Sequence, residues 1–485
     1  MGSCVSTRRA IFFSFLDRYA GLILSIVSSM FIARLLTPAE LGVFSVVMVF
    51  TAFVSSMRDL GAGQYLVQEP ELTATRIRAT WTVMLGMGFM MSVVVLCAAY
   101  PMSWFFDDHR MVGIMGVIAL NFVISPFGSM TYAWLMREMN FESLAVMRFS
   151  ASLAGALISV GLAWKDYGPI SLALGNLSAT VVNAFVALFY RPSHFGWKPG
   201  LAEIRRVVGF GGRISATSIA FNLANGVPEM FLGKLQGLAA AGFYSRANGL
   251  ALMFQRLVLD ATQAVALPLF ARVRREEGNF REPFVRATSY VTVLGWPFLG
   301  ALGILAYPLI RLLYGAQWDS AVDLARVMAL GMAIGLPAAM CPQALMAAGR
   351  SDLYMKTSLF AVTVHVVCVA IGAQHSLLGA AAGMAFAQCI SMPVWVRVTL
   401  RELQVSFSHF VRALVGSLAV GAATALVPLG AAAIFGLEPV SGAYVLLGCA
   451  MLGAAVFVLA CVKLRHPIES EIRRIVRLPV MPGGK

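Results

Sequence analysis

Apolar residues run along this chain in blocks long enough to cross a bilayer, roughly 20 residues or more each, separated by short polar stretches. The pattern predicts fourteen helices, at about 11–35, 41–66, 78–100, 111–136, 144–164, 169–190, 207–235, 240–267, 284–307, 322–348, 354–373, 377–399, 409–434 and 441–463. An even number of crossings puts both termini on one side of the membrane. The polar gaps alternate in charge. One set holds 27 of the 37 Lys and Arg residues, from Arg8 and Arg9 through Arg205 and Arg206 to the tail that starts with Lys463. The opposite set holds six (Arg34, Arg110, Lys165, Lys234, Arg311 and Arg326), several offset by Asp107, Asp108, Asp166, Asp319 and Asp323. The basic loops face the cytoplasm by the positive-inside rule, so both termini are expected there.

The pattern also repeats. Phe31–Ser45 (FIARLLTPAELGVFS) returns 200 residues later as Phe231–Ser245 (FLGKLQGLAAAGFYS). Including Met30 and Met230, the pairs Phe31/Phe231, Leu35/Leu235, Ala39/Ala239, Gly42/Gly242 and Ser45/Ser245 are identical. A second echo, LMREMN from Leu135 and LMAAGR from Leu345, ends spans 4 and 10. The chain is therefore expected to be an all-α polytopic membrane protein built from two pseudo-symmetric six-helix bundles. These are residues 1–190 and 207–400, joined by a linker at 191–206. Two appended helices (401–464), rich in Ala, Gly and Leu and expected to face lipid, and a basic tail (465–485) follow. In the tail, Ile468, Ile472, Ile475 and Val476 fall on one helical face, as in a helix lying on the membrane surface. Two packed half-bundles are a common transporter plan.

Composition adds little beyond confirming a membrane solvent: 59% hydrophobic, 12% charged, mean hydropathy +0.79. The formal charge of +14 is spread between spans rather than gathered in a patch, so it argues for anionic lipid headgroups and against a nucleic-acid partner. Seven cysteines without a CxxC and six scattered histidines offer neither a disulfide framework nor a metal site. No phosphate-binding glycine loop, nucleophile elbow or glycosyl-transfer DxD is present, so neither a cofactor nor a catalytic residue is expected. MGSCVS matches a myristoylation signal formally, but a polytopic protein needs no lipid anchor.

Ionisable residues inside spans are costly and mark functional sites. They concentrate in the first two helices of each half: Asp17 and Arg18, Arg58 and Asp59, Glu229 with the amides Asn222 and Asn225, and Arg246, Arg256 and Asp260. One reading pairs each Arg with its neighbouring acid, Arg256 with Asp260 at i, i+4. The other places Arg18, Arg58, Arg246 and Arg256 in a cationic cavity whose forked donors hold a phosphate headgroup. Arg246 and Arg256 lie about 15 Å apart along a helix and some 80° off one face, at two depths of one cavity. Glu229 is a candidate for coupling to H⁺ or Na⁺, with Asp17, Asp59, Asn222, Asn225 and Asp260 as further polar groups. Pro126, Pro228, Pro297, Pro337 and Pro342 are expected to kink spans, and GMAIG (Gly331–Gly335) and GAAAG (Gly379–Gly383) to allow close helix packing.

ARLLTPAELGVFS after a first span with DRYA, GKLQGLAAAGFYSRA, LLYGAQWDSAV (Leu312–Val322) and MAAGRSDL (Met346–Leu353) together resemble the polysaccharide transporter branch of the multidrug/oligosaccharidyl-lipid/polysaccharide (MOP) flippase superfamily, the Wzx-like oligosaccharide flippases. The resemblance runs over nearly the whole chain. It implies a MOP/MATE-like fold, alternating access around a cationic cavity, and movement of polyprenyl-diphosphate-linked oligosaccharides from the cytoplasmic to the periplasmic leaflet of the inner membrane. Glu229 stands where the family commonly carries an acid near the end of span 7. With no ATP site, an ion gradient is the expected energy source, and a polysaccharide polymerase and chain-length regulator are the expected protein partners. A lipid II flippase or a MATE-type exporter are the alternatives within the fold. A polymerase or ligase would need a large outer loop, and every outer loop here is about a dozen residues or fewer.

Overall fold

A computed structural model describes residues 7–58, 62–193, 195–208, 226–435 and 442–471, with side chains from Tyr19 onward except at 57–58, 277 and 442. All regular structure among these residues is helical. Twelve described helices are long and apolar enough to cross a membrane, against fourteen expected. The difference lies at two expected spans. The apolar described part of the first, Tyr19–Leu35, is short, and much of the seventh (207–235) lies outside the described residues. The tail face beyond Ile468 also lies outside them from residue 472. By packing, the chain divides into two compact units, Met1–Gly242 and Phe243–Lys485.

The first unit holds α1 (Thr7–Leu35), α2 (Pro38–Arg58), α3 (Ala62–Gln68), α4 (Ala74–Phe106), α5 (Arg110–Arg137), α6 (Phe141–Trp164), α7 (Ile170–Tyr190), residues 226–235 as α8, and the start of α9 (Leu238–Phe254). Helix α1 packs on α6, α5 on α4 and α7, and α6 on α7. Small residues set these distances: a Cβ on Gly175 of α7 would lie 2.8 Å from the Gly155 carbonyl oxygen of α6. The internal repeat meets itself here. Both copies start a helix at the same register, α2 at Pro38 and α9 at Leu238. A Cβ on Gly42 would fall 1.6 Å from the Leu238 carbonyl oxygen, and one on Gly242 2.1 Å from that of Pro38. The two identical glycines thus form a reciprocal backbone crossing that no larger residue fits.

The segment expected as a linker packs against the first unit. The Arg191 guanidinium lies 3.7 Å from the Trp197 ring centroid and 5.2 Å from that of Trp81, and the Trp81 indole N–H donates to the Trp197 carbonyl at 3.0 Å. Burial of the Arg191 side chain lowers its affinity for a proton relative to a free guanidinium. Nearby, the buried Glu69 carboxylate accepts from Arg76 at 3.1 Å and Arg206 at 3.0 Å, while Arg137 donates to the Leu66, Glu69 and Pro70 carbonyls. Basic residues that the charge pattern assigns to headgroups therefore also fasten loop to helix.

The second unit contains most of α9, α10 (Asp260–Glu277), α11 (Arg281–Ile304), α12 (Ala306–Leu313), α13 (Ser320–Gly335), α14 (Cys341–Ala347), α15 (Ser351–His375), α16 (Leu377–Glu402), α17 (Phe407–Phe435) and α18 (Gly442–Lys463). Expected span 8 is longer than its pattern: a π-helical turn at Gln255–Leu259 joins α9 to α10 in one apolar element, Leu238–Glu276. Span 10 breaks into a 3₁₀ turn at Leu336–Ala338, where Pro337 cannot donate to the helix ladder. Both glycine motifs serve packing. Gly383 lets α16 approach α15, its Cβ position lying 2.3 Å from the Cys368 carbonyl oxygen, and Gly331 of α13 sits on Ala385 of α16. Of the two appended helices, α18 exposes Leu447, Met451, Leu452 and Leu459, as a lipid-facing helix should. Helix α17 does so on one face only, because Phe410, Ser417, Val420, Gly421 and Thr424 are buried on the face that carries its packing with α11.

Candidate functional site

Among the expected cavity residues, Arg246 is the one the structure places in a defined setting. It lies on the third turn of α9, half-buried, with its guanidinium 5.5 Å from the Tyr314 ring centroid and 5.8 Å from that of Trp318. Trp318 is fully buried in the 3₁₀ turn Ala316–Trp318 and packs edge-to-face with Phe243, one turn before Arg246. Arg311 and Asp319 brace this loop: Arg311 Nε donates to Asp319 Oδ1 at 2.8 Å, and a second guanidinium bond closes a bidentate pair. That pairing holds the Asp319 carboxyl below its ordinary pKa. The loop therefore presents two aromatic rings to an arginine inside a span. A ring face under a guanidinium stabilises the cation by about 0.5–2 kcal/mol while leaving N–H edges to donate.

Two further expected residues are described on the same apolar element, Leu238–Glu276. Arg256 sits on the π turn and is exposed, as is Asp260 at the start of α10. The helix relating Arg246 to Arg256 is regular as far as Phe254 and widens into a π turn at 255–259, a feature frequent at functional sites. Glu229 belongs to the first unit, half-buried on α8 beside buried Pro228. Asp17, Arg18, Arg58, Asp59, Asn222 and Asn225 have side chains outside the described residues.

A site that charge alone does not reveal lies in the first unit. Thr51 and Ser55 of α2, Asn121 and Ser125 of α5, and Asn176 and Thr180 of α7 line a cavity of about 170 Å³. Asn121 Oδ1 is buried there without a hydrogen-bond partner among the described residues. Each helix contributes a polar pair at i, i+4, so the signal was present in the sequence but not in its ionisable residues. The lining supplies donors and acceptors without net charge, suited to water or a sugar hydroxyl. The rings of Tyr314 and Trp318 were not singled out as site residues either, because neither carries a charge that marks it in the sequence. Among the described residues no group of His, Cys, Asp and Glu is arranged to hold a metal ion.

Twelve bilayer-length helices among the described residues, one of them carrying an arginine seated on aromatic rings, define a multi-pass membrane protein. The family model described as "Polysaccharide biosynthesis protein" matches residues 31–323, and the chain belongs to that family. It is similar to the lipopolysaccharide biosynthesis protein WzxC of Escherichia coli (strain K12), 24% identical over 380 residues that cover 76% of this chain and 75% of the relative. It is also similar to the succinoglycan biosynthesis transport protein ExoT of Rhizobium meliloti (strain 1021), 26% identical over 348 residues, 70% of this chain and 69% of the relative. The fold is that of the MOP superfamily. The lipid II flippase MurJ in its inward closed conformation superposes with a TM-score of 0.73 at 14% identity, covering 96% of this chain and 99% of MurJ. An inward-facing multidrug-resistance MATE transporter gives 0.64 at 12% identity, covering 80% and 96%.

Proposed function

We propose that this chain is a flippase for polyprenyl-diphosphate-linked oligosaccharide repeat units, carrying them from the cytoplasmic to the periplasmic leaflet of the bacterial inner membrane by alternating access. A lipid diphosphate carries at least two negative charges and cannot cross hydrocarbon unaided. Arg246 is the observation that carries the reading: a guanidinium inside a span, held on two rings, in a chain of the polysaccharide biosynthesis family. Its planar fork matches two phosphate oxygens, which a lysine ammonium does not. The relatives WzxC and ExoT, named for lipopolysaccharide and succinoglycan biosynthesis, support the same substrate class.

In this proposal the protein acts as a transporter and not as an enzyme, with the halves 1–190 and 207–400 moving against each other and both termini cytoplasmic. Arg256, with Arg18 and Arg58, supplies further positive charge along the path. Glu229 couples transport to H⁺ or Na⁺, and a polysaccharide polymerase and chain-length regulator receive the product. The test is uptake of a radiolabelled lipid-linked oligosaccharide across proteoliposomes. Arg246→Gln is expected to lower the rate at least about a hundredfold, from the loss of a bidentate charge-assisted contact, with Arg246→Lys intermediate. Wild-type rates in Arg246→Gln would remove this residue from the substrate path and with it the basis of the reading.

A further inference from the structure

The second unit carries a large groove that plays no part in the site around Arg246. Helices α16 and α17 are joined by only four residues, 403–406, and such a short connection normally leads to antiparallel packing along the pair. Here the two diverge, since α17 packs on α11 and α16 on α13 and α15. The space between them is about 730 Å³, within the range of small-molecule sites. Its walls are apolar, including Pro393, Val396, Leu400, Phe410 and Leu414. Beyond the groove, α17 continues as an exposed apolar surface through Val415 and Leu418, so the groove runs on into the hydrocarbon region.

Arg397 and Arg401 line the mouth, four residues apart on one face of α16 and both exposed. Neighbouring polar groups are already engaged. Arg350 binds Asp352 and Glu402, Arg281 donates to Gln404 at 2.7 Å, and His409 lies 3.6 Å from Glu282. Neither Arg397 nor Arg401 has an ion pair or side-chain hydrogen bond among the described residues. The last two turns of a bilayer-crossing helix thus offer two forked cations directly over an apolar slot. The shape and charge are complementary to a lipid with a phosphate headgroup and chains beneath it.

We propose that the groove between α16 and α17 is a binding site for an anionic glycerophospholipid, its phosphate held by Arg397 and Arg401 and an acyl chain lying along Leu400, Phe410 and Leu414. The basic loops assign this end of α16 to the inner leaflet, where anionic lipids meet basic pockets between helices. The lipid closes a gap that helix packing leaves open, and so braces α17 against α16. This role is separate from transport of the substrate, since no residue of α9 contributes to the groove.

The test is a titration of the purified full-length protein in detergent micelles with dioleoylphosphatidylglycerol or dioleoylphosphatidylcholine, read by thermal midpoint and by native mass spectrometry of retained lipid. Phosphatidylglycerol is expected to raise the midpoint and to be retained, and phosphatidylcholine to do neither. Arg397→Gln with Arg401→Gln should raise the half-saturating phosphatidylglycerol concentration at least about tenfold, since each loses a charge-assisted bond. Val411→Trp, which fills the groove without altering charge, should do the same. The proposal is overturned by equal binding of the two lipids, or by an unchanged titration in the double variant. Protection by glycerol phosphate alone would overturn it in favour of a free-anion site. Stoichiometric displacement by a polyprenyl diphosphate at lower concentration would reassign the groove to the transported substrate. Should either variant fail to fold, the selectivity of the wild-type chain between the two lipids still decides.

Discussion

The reciprocal glycine crossing of α2 and α9 makes a sharp prediction for Gly42→Ala. The new methyl would sit 1.6 Å from the Leu238 carbonyl oxygen and 2.5 Å from its carbon, both backbone atoms that no side-chain rotation can move aside. Restoring an ordinary C···O separation of about 3.3 Å requires the helix starts to part by about 1.7 Å. That movement opens the packing of Val43, Val46 and Val47, all fully buried in the same core. Overpacking of this kind costs about 1–3 kcal/mol, and alanine's better helix propensity returns at most about 1 kcal/mol. The net loss, about 2 kcal/mol at the upper end, corresponds to a fall of roughly 4–8 °C in the melting of a unit of this size.

Thermal unfolding of the purified protein, followed by tryptophan fluorescence, measures it, with Gly86→Ala as the control because nothing lies within 4 Å of a Cβ there. Gly242→Ala should cost a similar amount, since its Cβ would lie 2.1 Å from the Pro38 oxygen. The double substitution should cost clearly less than the sum, because one separation of the helices relieves both clashes. An alanine at position 42 that melts with or above the wild type, or strictly additive losses, would refute the crossing.

Three further outcomes follow from other features. His466 is buried, its Nε2 lying 2.9 Å from Ser289 Oγ and 3.0 Å from Ser417 Oγ, and its Nδ1 accepts from the Ile468 N–H. Burial lowers its pKa from 6.5, so the unfolded state binds the proton more tightly and stability is lost as pH falls below about 6.5. A melting-point profile from pH 8 to pH 5 should flatten in His466→Gln, and an unchanged slope would refute this assignment. Glu229→Gln should insert and bind lipid-linked oligosaccharide but lose gradient-driven uptake in proteoliposomes, whereas full uptake would leave Glu229 a packing residue. Reporter fusions after Arg206, after Arg275 and at the C-terminus should report cytoplasm, and those after Asp108 and Asp319 the periplasm; a periplasmic C-terminus would contradict the even number of crossings.

Much of this protein was decided by composition and order along the chain. A segment of about 20 apolar residues has one stable outcome in a bilayer, a helix that satisfies its own backbone, so element type and approximate count follow without tertiary information. Charge alternation gives an expected orientation for a similar reason, because loop arginines act locally at the headgroups. The repeat at an offset of 200 marks two segments that begin a helix in phase, α2 at Pro38 and α9 at Leu238. Motif spacing likewise predicted that Gly331 and Gly383 allow close packing, since a missing side chain needs only a neighbour to matter.

What the chain alone did not contain was which neighbour. That Gly42 and Gly242 cross each other, that Tyr314 and Trp318 lie under Arg246, and that Thr51, Asn121 and Asn176 share one cavity are facts of helix placement. In a membrane the apolar face of a helix is as content against lipid as against protein, so hydropathy does not distinguish an inner face from an outer one. The partners are chosen instead by steric fit and by the few polar groups that hydrocarbon cannot satisfy. Those choices bring together residues tens or hundreds of positions apart, and only the tertiary structure records them.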